Sequence, residues 1–347
     1  VYNFGGTHSD SYNAALKGKT SKDGQVTGFD DWTDSQINDS STATAMGAYD
    51  SEALTAVKAK LGTSFSSKAP SSTGEAGTLA KVGSGSSISA GGSVTVEADD
   101  TLSITNTMGN LSVGMTSAGT SVSVVTGDKD VKALVDRAAS VSAGGDLTVK
   151  ADSSHSLSST IVGASVSGGV ALQGTEETWK DTARVSALLG DTNGIHAKNI
   201  SITSHNTHDL ASLLTGASVA LSGALNGAVI TADVSGTSEA GVGDDTGIYD
   251  KEVTADEDIT ISADAHTRLG AKAVGAAVGV YAGTGTGVKL SSDVDTKAFT
   301  GKGEKISGKN ISITSHNTPV LDGLAVSAGL GLAGVGVAAA ANESRDD

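Results

Sequence analysis

Histidine and acidic side chains are the groups through which this 347-residue chain could bind a metal ion or catalyse hydrolysis. Five histidines recur among Ser, Thr and Asn: His155, His205, His208, His266 and His316. A metal ion could bridge them if they stacked on one face of a repeating structure, but their spacing within the repeats described below varies. We therefore interpret them as solvated strand or turn residues, and we predict no metal ligand.

Carboxylates could pair for glycoside cleavage, a reaction that parallel β-helix proteins can host. Candidate acids occur throughout the chain and form no distinctive cluster; they include Asp99, Asp100, Glu176, Glu177 and Asp264. Two acidic segments beginning at Gly127 and Gly243 are interpreted as turns, and they could hold Ca²⁺. The G-G-x-G-x-D pattern of calcium-binding rolls is absent, however. We predict no catalytic residue, no cofactor-binding residue and no cofactor, and a polysaccharide-degrading enzyme stays as the alternative.

Composition narrows the function classes further. There are no cysteines, so disulfides and thiol chemistry are excluded. The formal net charge is −16, which gives no electrostatic reason to bind nucleic acid or an anionic membrane. No segment reaches the roughly 18 unbroken apolar residues of a membrane helix. Aromatic residues make up 3% of the chain while Gly numbers 46, which suits a narrow interior between thin strands.

An internal repeat organises most of the chain. Five similar segments begin at Ile88, Val141, Ile195, Val253 and Ile306, and each holds one aligned apolar residue, which we call its anchor. The anchors are Val94, Leu147, Ile200, Ile259 and Ile311, spaced by 53, 53, 59 and 52 residues. The nine residues NISITSHNT occur twice without change. A fixed period of this kind is the signature of a stacked repeat architecture.

Each repeat reads as β-structure. In VTVEA from Val94, apolar residues alternate with polar ones, which is the period-two pattern of a strand. A Gly/Ala/Val-rich arm of about 16–18 residues follows each segment. We therefore predict an all-β parallel β-solenoid of about 53-residue units over residues 80–347. The pattern leaves open whether a unit is one wide coil or two ordinary coils, and whether side-chain ladders run continuously between units.

The first quarter of the chain departs from the repeat. Residues 1–79 hold seven of the eleven aromatic residues and a segment with helix-capping signals, Asp50 to Gly62. We predict an irregular insertion that contains a short helix, and a decorating module that contacts a partner is the alternative. Because the chain begins without Met and ends within a repeat, we expect it to be a fragment of a longer protein.

Repeats of the form V-x-A-G-G-D-L-x-V-x-A, followed by Gly/Ala-rich arms and a closing A-x-(I/V/L)-G, resemble those of filamentous haemagglutinin-like and leukotoxin-type bacterial adhesins. The resemblance implies type V or two-partner export and display outside the cell, on the outer surface of a bacterium. It implies a structural fibre that mediates attachment, with a passive spacer as a further alternative. It allows a host or neighbouring-cell surface, protein or glycan, as a partner, and it allows self-stacking or fibre assembly.

Overall fold

The computed structural model of the protein describes residues 77–243 and 252–345, and every regular element in these ranges is a β-strand. The strands are β1 (Thr78–Val82), β2 (Ser87–Ala90), β3 (Val94–Val135), β4 (Ser140–Ala143), β5 (Leu147–Leu189), β6 (Ile195–Ala197), β7 (Ile200–Ala220), β8 (Gly223–Val242), β9 (Glu252–Ala255), β10 (Asp258–Val278), β11 (Tyr281–Thr300), β12 (Lys305–Ser307), β13 (Asn310–Leu330) and β14 (Ala333–Arg345). The predicted all-β class is confirmed.

The strands form two sheets, and neighbouring strands are parallel throughout. The larger sheet follows the order β13-β10-β7-β5-β8-β11-β14, with β3 paired to β5 and β1 paired to β3. The smaller sheet joins the short strands in the order β12-β9-β6-β4-β2. Together the two sheets are nearly closed around a common interior.

The larger sheet folds back on itself, so that outgoing and returning strand halves face each other. Within β3, Asn106 donates to Ser123 Oγ over 2.6 Å and Asn110 donates to the Thr120 carbonyl over 2.7 Å. The hydroxyls of Ser204 on β7 and Ser238 on β8 are likewise 2.8 Å apart. A 21-residue outgoing strand at about 3.3 Å per residue extends roughly 70 Å. The cross-section enclosed by the two facing strand halves is therefore wide and flat.

Residues in equivalent positions of successive repeats pair directly in the sheet. Val94 pairs with Leu147, Leu147 with Ile200, Ile200 with Ile259, and Ile259 with Ile311. The returning halves keep the same order, as in the pairing of Leu189 with Val242. The longer spacing of 59 residues arises because the extra residues fall almost entirely in the connection between Val242 and Glu252.

A side-chain ladder runs along the turn that precedes the outgoing strands. Asn199 donates to Asp146 Oδ1 over 2.8 Å, and Asn310 donates to Asp258 Oδ1 over 2.7 Å. The backbone N–H of Asp258 donates in turn to Asn199 Oδ1 over 3.1 Å, and that of Asp146 donates to Ser93 Oγ over 3.0 Å. Two of the three repeats without Asn thus continue the ladder with Asp, which accepts where Asn donates, and the first repeat continues it with Ser93.

Three apolar clusters fill the interior in sequence along the arms. Val, Ile, Leu and Ala side chains around Leu147, Ile200 and Ile259 fill the base beside the short strands. A middle cluster surrounds Leu157, Leu210 and Leu269, and only alanines occupy the outer end. Buried polar side chains lie along the arms between these clusters, as Ser204, Asn206 and His208 do between Ile202 and Leu210. The interior therefore alternates apolar and polar layers.

Two sequence predictions concern other parts of the chain. The predicted helix from Asp50 to Gly62, and almost all of the atypical segment 1–79, lie outside the described residues. Within residues 77–243 and 252–345 there is no helix with the length and hydropathy of a membrane span.

Candidate functional site

Two of the five histidines in the repeats are buried in the interior, although the sequence analysis interpreted all five as solvated. His155 and His208 are exposed by 1% and 0%, so that interpretation is wrong for both. His205, His266 and His316 are exposed, as predicted. The reason is that side chains alternate between the two faces of a strand. His155 and His208 each lie eight residues after an anchor, and an even offset places a side chain on the anchor's inward face.

The two buried histidines lie side by side on neighbouring strands. His155 on β5 pairs with His208 on β7, and their ring centroids are 5.7 Å apart with the ring planes nearly perpendicular. Asp181, on the returning half of β5, faces both rings and is 1% exposed. We call His155, Asp181 and His208 the interior cluster.

One carboxylate serves both imidazoles. The Nδ1 atoms of His155 and His208 each lie 2.8 Å from Asp181 Oδ2, and His155 Nδ1 is 3.0 Å from Oδ1. The other nitrogen of His155, Nε2, lies 3.1 Å from Oδ2 of Asp100 on β3. His155 is thus held between two carboxylates. The Nε2 atom of His208 is buried and has no hydrogen-bond partner among the described residues.

These contacts set the charge of the cluster. Burial disfavours a charged His155, but hydrogen bonds and charge interactions with Asp181 and Asp100 outweigh it and raise the pKa of this histidine above 6.5. Burial likewise opposes ionisation of Asp181, yet the hydrogen bonds from both histidines lower its pKa to about 2. The two residues therefore form an ionised pair in the interior over a wide range of pH.

Neighbouring residues leave room for this arrangement. Gly127 on β3 pairs with Asp181, and a Cβ atom at Gly127 would collide with Asp181 Oδ1. Trp179, 3% exposed, packs its ring against His208 at 6.5 Å between centroids. On the side of β3, Lys129 Nζ lies 3.9 Å from the partly exposed Asp100. The cluster is thus enclosed between the two facing layers of the larger sheet and by Trp179.

The other candidate acids named from the sequence are scattered, and most point outward. Asp99 is exposed and Asp264 half-buried, and both have odd offsets from their anchors. Glu176 is half-buried, while its neighbour Glu177 is 1% exposed and accepts a hydrogen bond from Ser212. The second oxygen of Glu177 has no hydrogen-bond partner among the described residues. These residues form no common carboxylate pair in the described structure.

The two acidic segments proposed as turns differ in outcome. The prediction of a turn from Gly127 is wrong, because this segment lies within β3. Its carboxylates Asp128 and Asp130 face Arg184 on the adjacent strand, each at 3.1 Å, so cross-strand pairing holds them extended. In the other segment, Gly243 has φ of 77° after the end of β8, and the residues from 244 to 251 lie outside the described ranges.

Sequence reasoning missed the interior cluster although one signal could have found it. Asp181 lies six residues before Ala187, an inward residue of the closing segment, and Asp100 lies six residues after the anchor Val94. Even offsets place both carboxylates inward together with the two histidines. The approach of the returning arm to the outgoing arm is a tertiary contact, however, and parity alone does not say which residues face each other.

The cluster can hold a proton or a small cation, and its burial keeps bulk solvent and large substrates away from the three side chains. No family model, curated protein or solved structure matches this chain.

Proposed function

We propose that this chain is a shaft segment of a bacterial filamentous adhesin, a parallel β-solenoid whose repeating unit of about 53 residues makes one wide coil. The observation that carries the proposal is the coil-on-coil register. The five anchor positions pair in a single row across the sheet, and the pairing continues along nearly the whole of each arm. Stacked coils of this kind grow along one axis and form a fibre.

The wide coil suits a mechanical role. One coil advances the fibre by only about 4.8 Å, yet it forms a backbone hydrogen-bond ladder along two arms of roughly 70 Å. Many hydrogen bonds must therefore break together before two coils separate. The edges of β13 and β14 carry no further strand among the described residues, so another coil of the same register could be added there.

The surface role rests on the adhesin-like repeat pattern, together with the acidic charge of −16 that favours solubility of an extended structure. The fibre would be exported and displayed outside the cell, on the outer surface of a bacterium. Its partner would be a protein or glycan of a host or neighbouring cell. The shaft is not an enzyme in this proposal.

Attachment can be tested with the 347-residue chain immobilised on beads. Beads that carry the chain should bind epithelial or bacterial cells above the level of beads coated with an unrelated acidic protein. Elongated particles without cell binding would reduce the function to a passive spacer. Shortening of a polysaccharide by the soluble chain, abolished by Glu177→Gln, would replace the proposal by the enzyme alternative.

A further inference from the structure

We propose that His155, Asp181 and His208 bind one divalent transition-metal ion, of which Zn²⁺ is the representative, in the interior of the coil stack. The three residues offer two imidazole nitrogens and a carboxylate oxygen, and these ligand atoms all lie within 4.8 Å of one another. Imidazole and carboxylate are the ligand types that Zn²⁺ and its neighbours in the first transition row accept. The inference is independent of the adhesin role.

Rigid elements fix the positions of the three ligands. His155 and His208 are paired residues of adjacent parallel strands, so their side chains leave the sheet on the same face, separated by one strand spacing. Asp181 approaches from the opposite layer, where it pairs with Gly127 on one side and Val234 on the other. A site whose ligands come from packed strands loses little conformational entropy when an ion binds.

Asp100 supplies the outer partner that a metal-binding histidine requires. Its Oδ2 atom lies 3.1 Å from His155 Nε2, which leaves Nδ1 of the same ring directed towards Asp181. A carboxylate that accepts the distal N–H fixes the tautomer and the ring orientation of a metal-bound histidine. In the metal-bound state Asp100 would keep this role, and the ion would replace the protons that now lie between the two Nδ1 atoms and Asp181.

One ring nitrogen of the cluster is unsatisfied in the metal-free chain. His208 is completely buried, and its Nε2 atom has no hydrogen-bond partner among the described residues. A buried polar atom without a partner is unfavourable, so protein groups alone leave the cluster incompletely satisfied. An ion bound to the two Nδ1 atoms would leave this nitrogen as it is. Its bonds to the three ligands exist only in the folded state, so binding would stabilise the folded coils.

The test uses the 347-residue chain without a histidine tag, refolded from denaturant after chelator treatment, with and without ZnCl₂. After gel filtration, elemental analysis should find about one zinc per chain, and the thermal midpoint should rise with zinc. Refolding with Co²⁺ should give the intense visible absorption bands of a cobalt ion with few ligands. Because the Co²⁺ spectrum is read on the unaltered chain, this result does not depend on how variants fold.

Variants locate the ion. His208→Gln and Asp181→Asn should lose most of the bound metal, and Asp100→Asn should weaken binding by about 10- to 100-fold, since it removes only the outer partner. His205→Gln is the matched control, because His205 lies on the same strand with its ring exposed and Asp264 at 3.6 Å. It should bind one zinc as the unaltered chain does.

Two outcomes would overturn the proposal. One is a refolded chain that retains far less than one zinc, with no visible Co²⁺ bands and an unchanged thermal midpoint, which would make the cluster a hydrogen-bonded network held by protons alone. The other is full zinc binding by folded His208→Gln together with loss of zinc in His205→Gln, which would place the ion on the surface.

Discussion

At the scale of single residues, the interior cluster makes stability depend on pH in the metal-free chain. The raised pKa of His155 means that its contribution is present below about pH 6.5 and is lost as pH rises through the folded-state pKa. The pKa of Asp181, about 2, has the opposite consequence. Its contribution is present above about pH 4 and is lost as pH falls towards 2. Together they contribute most between about pH 4 and 6.5.

Chemical denaturation over a range of pH, in the presence of chelator, measures this effect. The unaltered chain should exceed His155→Gln in unfolding free energy by the largest margin near pH 5–6, and the margin should shrink above pH 7. His205→Gln, which removes an exposed histidine from β7, is the matched control. A margin that stays constant from pH 5 to 9 would mean that folding leaves the pKa of His155 unchanged.

Gly127 is required by the carboxylate beside it. In Gly127→Ala the new methyl group would collide with Asp181 Oδ1, so either the strand or the ionised carboxylate must move. We expect a loss of roughly 1–3 kcal/mol in unfolding free energy. Gly174→Ala is the matched control, since its nearest atom would be Thr120 Cγ2 at 3.8 Å. Equal stability of the two variants would contradict the assigned position of Asp181.

At the scale of strands, alternation decides which side chains support the fold. Leu213 and Leu214 are adjacent on β7, yet Leu214 is fully buried in the middle cluster while Leu213 is 41% exposed. Leu214→Ala should lower the unfolding free energy by about 2–5 kcal/mol because it leaves a cavity. Leu213→Ala should change it by only about 0.5 kcal/mol. Denaturant unfolding compares the pair, and a reversed order would mean that β7 faces the other way.

The Asp/Asn ladder links the turns of successive coils. In Asn199→Asp, a carboxylate would replace the amide that now donates to Asp146, next to Asp258 in the following coil. We expect a loss of about 1–2 kcal/mol at pH 7, and recovery when the carboxylates are protonated near pH 3. Asn193→Asp adds the same charge at an exposed turn outside the ladder. If both variants behaved alike, the loss would reflect net charge and not the ladder.

At the scale of the whole molecule, stability should be a sum over coil interfaces. Removal of residues 302–347 takes away β12, β13 and β14 and exposes the edges of β10 and β11. The shortened chain should keep its β-sheet circular dichroism in proportion to its length and unfold at lower denaturant concentration. Complete loss of the β signal would contradict independent stacking and would indicate one closed, indivisible body.

The sequence by itself determined the all-β class, the parallel stacking and the alternation that sets the inward face of each arm. A 53-residue period with apolar residues at every second position favours parallel stacking of the repeats. Stacking in register places the apolar residues of one repeat beside those of the next and buries one face of every strand. The continuous turn ladder needed the structure, since Asp and Asn differ in the sequence and become equivalent only when they alternate as acceptor and donor.

Only the tertiary structure decided which residues of the outgoing and returning arms face each other, and that Asp181 is the residue that faces His155 and His208. Both facts depend on where the chain reverses at the end of an arm, which sets the residues of the returning half opposite those of the outgoing half. Period-two alternation does not reveal where the chain reverses. If the reversal moved by two residues, the same side chains would still point inward, but each would face a different residue across the interior.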